Sequence, residues 1–101
     1  MGIGFEVDVK EKQSTEINIP AKVVLYDDDW HTFDEVINQL MKALGCDYAT
    51  AERLTMEVHT KGKSTVFEGD LEEALKVANI LEEIDLSVEV YIWFNIEQTF
   101  S

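Results

Sequence analysis

Residues 22–45 read KVVLYDDDWHTFDEVINQLMKALG, and a change of hydrophobic period inside this stretch decides the fold class. KVVLY, residues 22–26, is β-branched and nearly continuous in apolar character, the pattern of a buried strand. From Thr32 onward the period becomes helical. Thr32 and Glu35 form a capping box, in which each side chain satisfies a free backbone N–H of the first turn. Phe33, Val36, Ile37, Leu40 and Leu44 then recur on one face, and Gly45 supplies the stop. Between strand and helix stand three consecutive aspartates, Asp27, Asp28 and Asp29, followed by Trp30 and His31.

Downstream, a second helix begins at Asp47, turns Ala51, Leu54 and Val58 inward and ends near His59, before Gly62. KSTVFEG (63–69) predicts a short strand. Asp70 and Glu73 predict another capping box, followed by a stripe of Leu71, Ala74, Leu75, Ala78 and Leu81. SVEVYIWFNI (87–96) alternates Val88, Val90, Ile92, Phe94 and Ile96 against Glu89, Tyr91, Trp93 and Asn95. Upstream, Phe5, Val7 and Val9 alternate with Glu6, Asp8 and Lys10, and Ile17 and Ile19 follow a polar stretch. Residues 1–20 are therefore expected to be a strand-forming extension closed by Pro20, which suits an edge position. The order strand, helix, helix, strand, helix, strand predicts an α+β sandwich. Its three helices pack on one face of a mostly antiparallel three-stranded sheet. Residues 21–96 carry no repeat, linker or internal boundary, and residues 21–101 are expected to form one domain.

The chain of 101 residues suits one core, and 46% hydrophobic content is globular. With 21 acidic against 8 basic residues, the net charge is −13. Nucleic acid and anionic membrane surfaces are poor partners for such a chain; cationic groups, or a basic face on a larger protein, suit it better. The single cysteine, Cys46, cannot close an internal disulfide, which fits a reducing compartment. MGIGFEVDVK has no basic region followed by an apolar run, and no segment is apolar enough to span a bilayer. A cytoplasmic protein is expected.

Several motifs dissolve on inspection. GKST, residues 62–65, ends like a phosphate-binding loop, but the motif's first glycine would fall at Glu57, and a strand follows instead of a helix. Cys46 has no CxxC partner. His31, His59 and the aspartates supply metal-ligand types without a ligand spacing, so no metal or other cofactor is expected; a metal-dependent hydrolase built on them is the enzyme alternative. Acid–base catalysis needs two carboxyls in unequal environments across a cleft, which three neighbours on a turn do not announce.

The aspartates have an ordinary reading as turn residues, favoured by the dipole of the following helix at about 0.3–1 kcal/mol. His59 likewise suits the last turn of a helix. Topology adds a second reading. A short connection makes the first two helices antiparallel, which brings the end of the second beside the start of the first. Asp27, Asp28 and His59 can then converge beside Phe33, Val36, Thr55 and Val58. Two carboxylates and a neutral imidazole would accept hydrogen bonds from an ammonium group, and the apolar neighbours would take a side chain. That combination suits a peptide's free N-terminus with a bulky hydrophobic first residue.

KVVLYDDDWHTFDEVINQLMKAL, ATAERLTMEVHTKGK and VFEGDLEEALKVANIL, over about residues 21–80, resemble the ClpS family of adaptors for the ATP-dependent Clp protease. The family strings are K-V-x-L-x-N-D-D-x-T-P-M and M-x-x-V-H-x-x-G. The resemblance implies a non-enzymatic adaptor that binds N-terminal Leu, Phe, Tyr or Trp residues and docks on the N-terminal domain of a Clp AAA+ unfoldase. It assigns the α-amino group to Asp27, Asp28 and His59. The side-chain pocket falls to Phe33, Val36, Thr55 and Val58, with Asp29 and His31 at its mouth. Glu73 and Lys76 are the positions for unfoldase docking. The chain departs from the family at Asp27, in place of asparagine, at His31-Thr32-Phe33, in place of T-P-M, and at Thr55. These changes bear on substrate preference, and they keep open a ClpS-like interaction domain that docks on a Clp chaperone or another partner without reading N-termini.

Overall fold

The structure, a computed structural model, describes residues 19–93. The strand reading of residues 5–18, and of Phe94, Asn95 and Ile96, lies outside the described residues. Within them the order is β1 (Pro20–Tyr26), α1 (Phe33–Leu44), α2 (Tyr48–Lys61), β2 (Lys63–Asp70), α3 (Leu71–Glu82) and β3 (Val88–Ile92). The sheet order is β2-β1-β3, with both pairings antiparallel. The α+β architecture expected from the change of period is the one found.

Alternation along the central strand sends Ala21, Val23 and Leu25 to the helical side, where all three are buried. The helices answer with Ile37 and Leu40 from α1, with Ala51, Leu54 and Val58 from α2, and with Ala74, Val77, Ala78 and Leu81 from α3. Complete burial of one such branched side chain is worth about 1.5–3 kcal/mol. Gln39, buried to 9% exposure, is the polar exception on α1. Its amide donates to Ile80 O and to Glu83 Oε1, tying α1 to the end of α3.

The β1–β2 ladder pairs Val23 with Phe67 but Val24 with Thr65, so Val66 is a bulge residue. The extra residue lets Val66 and Phe67, consecutive in sequence, both reach the core.

Four local expectations change. Pro20 does not sit at an edge: it opens the central strand, a first position where a missing N–H is tolerated. Ile19 O and Pro20 O already accept from Leu71 N–H and Trp93 N–H, so the sheet begins inside the expected extension. Leu75 is 46% exposed while Val77 is buried, because positions 74, 77, 78 and 81 make the tighter helical face. Ile92 is exposed, at the end of an edge strand. At the start of α3 only half of a capping box is made: Asp70 accepts from Glu73 N–H at 2.9 Å, while the Glu73 carboxylate lies 3.7 Å from Lys76 Nζ. The Thr32–Glu35 box at α1 has both bonds, at 3.1 and 2.9 Å.

Candidate functional site

Two backbone bonds fix the exit from β1. Tyr26 N–H donates to Ser87 O, before β3, and Asp27 N–H donates to Gly62 O, after α2, each at 2.9 Å. Gly62 holds φ at 89°, a left-handed value that suits glycine. The turn at Gly62 therefore carries the last turn of α2, with His59, up to Asp27.

The loop then folds on Asp28. Its Oδ1 accepts the N–H groups of Trp30 and His31 at 3.0 and 2.9 Å, and its Oδ2 meets His31 Nδ1 at 2.7 Å. His31 Nε2 reaches Ile84 O, in the corner between α3 and β3. The Trp30 ring lies on the imidazole at a centroid separation of 3.9 Å. Burial opposes a charge on either partner, yet their mutual hydrogen bonds and those to the backbone outweigh it. Asp28 is held below its ordinary value and His31 above its own.

These elements enclose a cavity of about 260 Å³, smaller than the roughly 300–1,000 Å³ of most small-molecule pockets. Asp27, Asp28, Asp29, His31, Phe33, Val36, Thr55, Val58 and His59 all line it, so the structure brings together every residue expected there from the sequence. Their environments differ. Asp27 Oδ1 lies 3.8 Å from His59 Nδ1, with the two side chains 35% and 55% exposed. The Phe33 and His59 rings pack T-shaped, with centroids 5.0 Å apart and planes at 72°. The Thr55 hydroxyl already donates a hydrogen bond to Ala51 O, within its own helix. His31 is not at the mouth as expected: its side chain is 4% exposed and forms wall, because both ring nitrogens are bonded inside the protein.

Leu25, Tyr26 and Leu86 also line the cavity and were not expected there. Leu25 and Tyr26 could have been suspected as the last residues of the strand that feeds the aspartates. Leu86 carries no local signal, since only the packing of the α3–β3 corner brings it in.

The cavity thus has an apolar interior from Leu25, Phe33, Val36, Val58 and Leu86 and a carboxylate edge from Asp27, Asp28 and Asp29. Among the described residues there is no group of three His, Cys, Asp or Glu side chains able to hold a metal ion. Both ring nitrogens of His31 are already engaged inside the protein. No helix among the described residues is long and apolar enough to cross a membrane. Glu73 and Lys76 stand on the exposed side of α3, away from the cavity lining.

Comparison with known proteins agrees with this fold. In overall structure the chain is similar to Agrobacterium tumefaciens ClpS2 bound to L-phenylalaninamide, with a TM-score of 0.70 and 19% identity over 76% of this chain and all of that one. In sequence it is 35% identical over 66 residues to the ATP-dependent Clp protease adapter protein ClpS of Corynebacterium aurimucosum. That alignment covers 65% of this chain and 56% of the relative's length. Residues 16–89 match the family described as ATP-dependent Clp protease adaptor protein ClpS. A strand–helix–helix–strand–helix–strand sandwich, an acid-edged apolar cavity at its first turn and a family match over most of the chain lead to one conclusion: this chain belongs to the ClpS family of Clp protease adaptors, which are adaptors rather than enzymes.

Proposed function

We propose that the cavity binds the free N-terminus of proteins whose first residue is large and hydrophobic, and that the chain delivers them to a Clp AAA+ unfoldase. The observation that carries this reading is the pairing of an open carboxylate, Asp27, and an exposed imidazole, His59, with an apolar cavity of one-residue size. An α-ammonium group would donate to Asp27, to the remaining lone pairs of Asp28 and to neutral His59. The first side chain would enter between Phe33, Val36 and Val58, with Thr55 and Leu86 beneath. L-phenylalaninamide, the ligand named for the Agrobacterium neighbour, has the same pair of groups, an amine and an apolar ring.

Delivery would use the surface of α3, where Glu73 and Lys76 are candidates for contact with the unfoldase N-terminal domain. A second reading keeps the adaptor role without recognition of N-termini. It is favoured by Asp28, whose oxygens already accept three hydrogen bonds, and by the bulk of Phe33 in the cavity lining.

Fluorescence anisotropy decides between them, with two labelled peptides that start with Phe and differ only in N-acetylation. Binding of the free peptide alone is expected. Binding of neither peptide, with Leu, Tyr and Trp tested also as first residues, would leave the second reading.

A further inference from the structure

His31 is bonded in a way a neutral imidazole cannot satisfy. Nδ1 faces a carboxylate, Asp28 Oδ2, at 2.7 Å, and Nε2 faces a backbone carbonyl, Ile84 O. Both partners are acceptors only. A neutral ring has one N–H and one lone pair, so in either tautomer a lone pair would be pressed against an acceptor. The imidazolium, with two N–H groups, satisfies both. The Trp30 ring at 3.9 Å adds a π-face that also favours a cation. These two bonds join segments 53 residues apart in sequence: the loop that carries the aspartates and the corner that brings Leu86 to the cavity.

We propose that His31 is a positioning residue for the cavity: as an imidazolium it staples the Asp27–Asp29 loop to the α3–β3 corner, and losing that proton frees the loop. The staple stands on its own geometry; its consequence for peptide binding rests on the function proposed above. The charged groups bearing on His31 are Asp28 from its own loop and Glu35 from α1, both favouring the proton, while the α3–β3 corner contributes the Ile84 carbonyl. His59, on α2, lines the same cavity and is followed separately. Burial opposes the charge, but the bonds to Asp28 and Ile84 keep the His31 pKa above its ordinary 6.5. The staple is therefore complete below that value and is lost as pH rises through the raised one.

The test combines nitrogen-15 NMR of the imidazoles in the full chain with peptide anisotropy, both followed across the range in which histidine titrates. His31→Gln identifies the resonance and serves as the unstapled variant. Expected are two protonated His31 ring nitrogens below a midpoint that itself lies above 6.5, and amide protection of Trp30 and His31 that falls beyond that midpoint. The wild-type advantage over His31→Gln in binding the free Phe peptide should shrink with rising pH, by at most about tenfold per pH unit, the ceiling for one linked proton. Taking the ratio with one peptide cancels titration of its own amine. A midpoint at or below the ordinary 6.5, or a ratio independent of pH, would overturn the proposal. If neither protein binds the peptide at any pH, the N-terminus reading fails instead, and the midpoint and amide protection still judge the staple. The same wild-type measurements decide if His31→Gln does not fold.

Discussion

Asp28 with His31 and Asp27 with His59 are neighbouring Asp–His pairs in the wall of one cavity, and they differ in how much of their bonding capacity is spent. Three donors occupy Asp28, both nitrogens of His31 are bonded, and the His31 side chain is 4% exposed. Asp27 and His59 stand 3.8 Å apart, a separation too long for a hydrogen bond, and both are open to solvent. The same two residue types therefore do different work a few ångströms apart. The closed pair fixes the shape of the loop, and the open pair keeps unspent donors and acceptors for something else. Burial and saturation, more than residue identity, separate scaffold from site here.

The sharpest way to break this contrast is to remove the closed pair's carboxylate. Asp28→Ala orphans two backbone N–H groups and the His31 ring, and is expected to cost about 2–3 kcal/mol of stability in urea unfolding. A loss below about 0.5 kcal/mol, the range of an ordinary surface change, would mean that the loop does not depend on Asp28. Asp27→Ala should do the reverse. Stability is expected to stay within about 0.5 kcal/mol, while affinity for the free Phe peptide drops by about 1.5–3 kcal/mol, the value of a charged hydrogen bond. An Asp27 variant that binds normally would remove this residue from the proposed site.

The pair's titration sharpens the contrast further. Asp28, held below its ordinary 3.8, contributes stability above that value and loses it as pH falls through its lowered pKa. His31, held above 6.5, contributes below that value and loses it as pH rises through its raised one. Thermal midpoints measured across pH should accordingly decline on both flanks. Asp28→Asn should flatten that profile, and identical profiles for both proteins would count against the closed pair. The smallest effect is expected for His59→Ala: no more than about 1 kcal/mol in stability, as for an exposed pair, with a few-fold loss of peptide affinity. A larger stability loss would show the open pair to be structural after all.

Much of the fold was legible because its signals are local. The Thr32–Glu35 box, Gly45 and Gly62 fix helix ends within a few residues of chain, and KVVLY could be little other than a buried strand. The convergence of His59 on the aspartates was readable because a short turn between helices forces antiparallel packing. What escaped notice depends on distant partners. Nothing beside Gln39 announces Ile80, and nothing beside His31 announces Ile84, so the sequence alone leaves Gln39 unremarked and the resemblance puts His31 at the mouth. Leu75 misled for a related reason, since a stripe drawn through leucines overlooked the smaller Val77 on the face that packs.

The bulge in β2 has a consequence for how the chain tolerates changes of length. Val23 faces Phe67 and Val24 faces Thr65, so the ladder is in phase on both sides of Val66. Deleting Val66 would give up one core side chain and some local twist, while every remaining pair would keep its partner. Lys63 would still stand opposite Tyr26, and Gly62 O would still meet Asp27 N–H. β2 therefore carries a spare residue, and a deletion there is absorbed before it reaches the cavity. The same deletion one turn earlier, between His59 and Gly62, has no such slack and would carry His59 away from Asp27.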